Sequence, residues 1–209
     1  MSQSLPESDS SSASIGTAPT AAPICVQRLD PKASAVLLID LQERLVPVMH
    51  ERRTLVRRAK RLVDGANVIE VPVLVAEQYV RGLGETVHDI APQMKGAVLS
   101  DAVTRLSAAT EKLLHALERR KIRSVVLAGI EAHVGVLHTA LDLLDAGFTV
   151  AVCHDAVSSR RPVDLRSALS RMTHAGVLPT TVESALMELL GSSKNANFKN
   201  LREIIRSDA

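Results

Sequence analysis

"SVVLAGIEAHVGVLHTALDLLDAG" occupies residues 124–147. Its first six residues are aliphatic or small and read as a buried strand. From His133 to Ala146 the apolar residues take helical spacing, and Gly147 stands where a helix C-terminus favours glycine. Strand, tight turn and amphipathic helix in that order make one unit of a parallel α/β sheet. The start of such a helix is where this architecture mounts reactive groups. Here that position is Gly135, which carries no side chain.

The same alternation continues on both sides. "AVLLID" (35–40), "PVLVAE" (72–77), "GAVLS" (96–100), "RSVVLAG" (123–129), "FTVAVC" (148–153) and "GVLPTT" (176–181) read as strands. Helical spacing covers 52–70, 107–120, 133–146, 162–175, 183–190 and 197–206, and Pro162 suits a helix start. The expected fold class is therefore α/β, a three-layer α/β/α sandwich around a six-stranded, mostly parallel sheet. Ligands of such sheets bind beyond the carboxyl ends of the strands. That singles out Asp40, Glu77, Ser100, Gly129 to Glu131, and Cys153 to Asp155. A carboxylate at the position of Asp40 suits a general base poised beside a nucleophile, and equally a helix cap.

Composition bounds the rest. Of 209 residues 46% are hydrophobic but only 1% are aromatic, so Val, Leu, Ile and Ala fill the core. That scarcity argues against binding by aromatic stacking, as in single-strand nucleic-acid modules. Lys plus Arg is 25 against 23 for Asp plus Glu, a balance that selects no partner. The one local excess is "RRTLVRRAKR" (52–61). It reads first as a solvated helix face and second as a phosphate or RNA surface. Two cysteines, Cys25 and Cys153, make no disulfide framework and fit a reducing compartment. No paired Cys/His motif predicts a metal, no cofactor is expected, and no apolar run is long enough for a membrane span.

Residues 1–32, rich in Ser, Ala and Pro, read as a disordered tail, and 33–209 as one domain. Glu7 and Asp9 precede the first basic residue, Arg28. That composition gives a mitochondrial address little support, and the cytoplasm is the expected location.

Four ordered segments, "AVLLIDLQ", "LVAEQYVRGLG", "VVLAGIEAHVGVLHTALDLLDAGF" and "VCHDAVSSR", resemble the isochorismatase-like cysteine hydrolases, in particular the isochorismatase-domain-containing branch found in eukaryotes. The likeness covers about residues 33–190. It implies a triad in which an Asp activates a Cys, a Lys stabilises charge, and the thiolate attacks an amide or related carbon under a backbone oxyanion hole. Asp40 matches the Asp. The Lys position falls on Val103 in "VTRLS" (103–107), with Arg105 two residues on. The Cys position is Gly135. The resemblance also implies a cis peptide at Ile130–Glu131 and an oxyanion cradle from the N–H groups of Glu131 and Gly135. Gln42, Gln78, Tyr79 and His133 are the expected pocket residues.

With the thiol missing, the expectation is a protein of hydrolase fold that has lost covalent chemistry but keeps a small-molecule pocket, and that forms a homo-oligomer. One alternative is a hydrolase using water, with Asp40 as base. Another is a ribonuclease-like or RNA-binding role for His133, His138 and His154 with the basic helix 52–61. Cys153 as a replacement nucleophile ranks behind a buried strand cysteine.

Overall fold

The computed structural model describes residues 28–94, 98–101 and 106–207. Val103 and Arg105 lie outside them. The strands are β1 (Ser34–Ile39), β2 (Val73–Gln78), β3 (Val98–Asp101), β4 (Ser124–Gly129), β5 (Thr149–Val157) and β6 (Leu178–Thr180). The helices are α1 (Arg52–Val68), α2 (Val80–Leu83), α3 (Glu111–Arg119), α4 (Leu137–Asp145), α5 (Pro162–His174), α6 (Val182–Leu190) and α7 (Phe198–Arg206).

The strands form one sheet in the order β3-β2-β1-β4-β5-β6, and every neighbouring pair is parallel. β1 and β4 are buried along their whole length, as expected of strands covered on both faces. Alternation divides their side chains. Val36, Leu38, Val126 and Ala128 pack with α1, α6 and α7. Ala35, Leu37, Ile39, Val125 and Leu127 pack with α3, α4 and α5. The chain winds outward from β1 to β3, then returns to place β4 on the other side of β1. The crevice of such a sheet lies where the winding reverses. That point is the paired end of β1 and β4, where Ile39 faces Gly129.

Several elements differ from the sequence reading. The folded chain starts earlier than residue 33: Leu29 is buried in the core and its N–H donates to Glu188 Oε1 at 3.0 Å. β5 does not stop at Cys153 but runs to Val157, because the register with β4 shifts between Leu127 and Gly129 and the longer strand follows the bend. α3 begins at Glu111, where the Thr110 side chain caps the N–H of Leu113. The tight turn before α4 is a π-helical turn, Ala132–Val136. Short helical turns at 46–48, 80–83 and 91–93 carry too few residues to show a period.

Candidate active site

β1 delivers Asp40 to the crevice. Its backbone leaves the strand in the left-handed region, φ 52°, while its N–H still donates to Ala76 O at 3.0 Å on β2. This turn aims the carboxyl at the start of the π-helical segment. Asp40 is only 5% exposed, and among the described residues its Oδ1 has no hydrogen-bond partner. Burial pushes its pKa up to about 7, with a contribution from the negative charge of Glu77, while the backbone N–H of Gln78 opposes the rise.

β4 delivers the other wall. Gly129 has φ +135°, and a Cβ there would lie 2.1 Å from the carbonyl oxygen of Ile39. Only glycine lets β1 and β4 approach this closely at the crevice. The next peptide, Ile130–Glu131, is cis. The Ile130 N–H is used by Ile39 O at 2.9 Å, and the Ala132 N–H by Ser158 O at 2.8 Å. Among the described residues the N–H of Glu131 donates to nothing.

Gly135 is buried in the π-helical turn directly opposite Asp40. A Cβ built on it would sit 3.2 Å from Asp40 Oδ2, 3.1 Å from Ile130 O and 3.2 Å from the Ile39 side chain. Asp40 and Gly135 are therefore neighbours, ninety-five positions apart in the chain. A side chain at 135 would point at the carboxyl and at the carbonyl of the cis peptide. Among the described residues, this spot supplies a buried carboxyl and backbone polar groups, and position 135 itself brings no side chain.

The remaining expected site residues have definite places. Gln42 is fully buried and its amide is committed: Nε2 donates to Gln78 O at 2.8 Å and Gly84 O at 2.6 Å, and Oε1 accepts from Gln78 N at 3.1 Å. It clamps the end of β2 to the loop after α2. Gln78 takes part through its backbone. Tyr79 is 58% exposed, and its ring lies against Gly82, where a Cβ would meet it at 1.9 Å. Glu131 accepts from Arg160 Nε at 3.0 Å and from its backbone N–H at 3.2 Å. His133 Nδ1 and Ser159 Oγ are 3.0 Å apart. His138 is half-buried on α4.

Burial, with an opposing effect of Asp155, lowers the pKa of His154, whose Nε2 has no partner among the described residues. Among these residues no hydrogen bond joins the three histidines to Asp40. Cys153 is completely buried in mid-strand, not at a strand end, and burial pushes its thiol pKa far up. A thiol held protonated is a poor nucleophile.

The supporting residues that sequence reasoning missed come from the true end of β5. Ser158 Oγ donates to His50 O at 2.6 Å, and the His50 N–H returns to Ser159 O at 3.0 Å. With the Ala132 and His133 bonds, these serines fix the π-helical turn against the loop after β1. Their segment, "AVSSR", begins inside β5 and runs just past it, because the strand ends at Val157 rather than Cys153. Glu77 was noticed as a strand end. It is a second clamp: its Oε1 accepts from Thr86 N at 2.8 Å and Oγ1 at 2.6 Å. Among the described residues no group of three or more His, Cys, Asp or Glu side chains is arranged to hold a metal ion. No helix of these residues is long and apolar enough to cross a membrane.

The chain as a whole is similar to known proteins. Residues 34–184 match the profile of the isochorismatase domain. Isochorismatase domain-containing protein 1 of Danio rerio is 38% identical over 182 residues, 87% of this chain, which spans only 64% of the length of that relative. Isochorismatase domain-containing protein 2 of Xenopus laevis is 36% identical over 88% of this chain and 89% of its own. The solved structure titled MAR1 ribonuclease from Caenorhabditis elegans superposes with a TM-score of 0.82 at 35% identity, covering 88% of this chain and 94% of the other.

Proposed function

The chain belongs to the isochorismatase domain family, and from that premise we propose that it is a non-covalent small-molecule binder built on a hydrolase fold. The observation that carries this reading is Gly135. It stands where the family resemblance expects the attacking cysteine, 3.2 Å at its Cβ position from the carboxyl that would activate one. A glycine forms no acyl or thioester intermediate, so the two-step covalent route is closed.

What remains suits recognition. The ligand is a small amide, carboxylic acid or other carbonyl compound. Its oxygen takes the N–H groups of Glu131 and Gly135, with the partial positive charge of the helix start behind them. Asp40, its pKa pushed up to about 7 by burial, meets it from the other side as donor or acceptor. Gln78, Tyr79 and His133 border the mouth, and Gln42 holds its frame. The Lys position, Val103, brings no charge that would demand a thiolate partner. Homo-oligomer formation belongs to the same proposal. Sedimentation velocity on the full chain reads that part separately.

Three proteins test the reading: the wild type, Gly135→Cys, and Gly135→Cys with Val103→Lys. Each is assayed on a panel of small amides, esters and enol ethers. The wild type should show no turnover above background. The double replacement should gain at least tenfold over background on some substrate, which then names the ligand class. Efficient turnover by the wild type, abolished in Asp40→Asn, would overturn the proposal in favour of water activated by Asp40.

A further inference from the structure

A second concave surface lies away from the Gly135 crevice. It is a groove of about 650 Å³ on the outer side of α1, bordered by Val46, Pro47, Arg53, Val56, Arg57 and Asp89, with Arg52 and Lys60 beside them. None of these surrounds Asp40 or Gly135. The volume is that of an ordinary small-molecule site. Its floor is apolar, from Val46, Pro47 and Val56. Its walls bring four cations against one carboxylate, Asp89.

The cations of α1 are not equivalent. Arg58 and Arg61 point inward and are engaged: Arg58 lies 3.5 Å from Asp155, and Arg61 donates to Ser207 O. On the groove side, Lys60 pairs with Asp64 at 2.7 Å and Arg52 donates to Pro47 O at 2.8 Å. Arg53 and Arg57 form no ion pair with the described residues. They stand at i and i+4, where like charges repel and destabilise a helix. Arg52 and Arg53 also occupy its first turn, the end at which cations are least favoured. A solvated surface gains nothing from concentrating its unpaired guanidiniums on one face, beside an apolar floor. An anion held between them relieves the repulsion, and two forked guanidiniums match the oxygens of a dianion better than a single carboxylate does.

We infer that this groove is a binding site for a small organic phosphate, with the phosphate held by Arg53 and Arg57 and the apolar body laid on Val46, Pro47 and Val56. Nucleic acid fits it less well. No aromatic side chain lines the groove to stack a base, and Asp89 interrupts the basic wall.

Phenyl phosphate is the probe, titrated into the full-length protein by calorimetry at physiological salt. Inorganic phosphate, benzyl alcohol and a 20-nucleotide RNA are run in parallel. Phenyl phosphate should bind at least tenfold more tightly than inorganic phosphate, and benzyl alcohol should not bind. Arg53→Gln with Arg57→Gln should lose at least tenfold in affinity for phenyl phosphate. Both residues are exposed, so the variant should keep its fold, its thermal midpoint and its sedimentation coefficient. Equal binding of phenyl phosphate by wild type and variant would overturn the site. So would tighter, steeply salt-dependent binding of the RNA that the same variant abolishes. A change of oligomeric state in the variant would also overturn it, making the groove a contact between copies. The reading of the Gly135 crevice survives any of these results, because it is tested on different residues.

Discussion

Asp40 is the residue whose chemistry is most exposed to test. An unfolded Asp ionises near 3.8, and this one does so at about 7 because it is buried. Between those values the folded state holds a proton that the unfolded state has released. The contribution of Asp40 to stability is therefore greatest below about pH 4, falls as pH rises to about 7, and is level beyond. Asp40→Asn removes the ionisable group and with it the decline. The variant should exceed the wild type in stability by on the order of a few kcal/mol at about pH 8, and the difference should vanish below about pH 4. Urea unfolding at several pH values reads this directly. Equal pH dependence of the two proteins would mean that the carboxylate is solvated or paired.

Local patterns place Asp40 at a strand end and Gly135 at a helix start, but that the two share one site comes from the family resemblance, not from either pattern. The local surroundings of Gly135 were less legible. A π-helical turn leaves no hydrophobic period in five residues. The commitment of Gln42 to two carbonyls depends on a loop folding back from residue 84, which no spacing announces. Val103, which the resemblance alone assigns to the Lys position, lies outside the described residues.

At the scale of elements, the join between β1 and β4 depends on Gly129. A methyl group there would lie 2.1 Å from the Ile39 carbonyl, with φ at +135°, a backbone conformation that side chains rarely adopt. Neither the oxygen nor the strand can move without breaking the sheet. Gly129→Ala should cost more than about 3 kcal/mol, or prevent accumulation of folded protein. A urea midpoint within error of the wild type would show that β4 has slack. The strands and longer helices were readable because each buries a face with a clean period. The end of β5 was not. Its last residues, "HDAV", mix polar and apolar side chains where the strand bends past Gly129, so alternation fails just where the strand matters most. The serines that follow, Ser158 and Ser159, hold the site's turn in place.

The whole molecule is closed on one side by α1, α6 and α7. Gly65, in the last turn of α1, allows this. A Cβ there would meet the side chain of Leu186 at 2.5 Å and that of Leu201 at 3.1 Å. Leu201, fully buried, is the main apolar anchor of α7. Leu201→Ala should therefore cost about 2–4 kcal/mol and free α7 to proteolysis while the sheet stays folded. Retention of full protease resistance would show that α7 is held by its polar contacts instead.

That layer also holds both ends of the described chain. Leu29 is tied to Glu188 on α6, and the Ser207 carbonyl to Arg61 on α1. Fusion partners attached at either end would thus pull on the same helices. A reporter dye placed there would register their detachment as an early event, before the sheet opens and without any readout from the crevice.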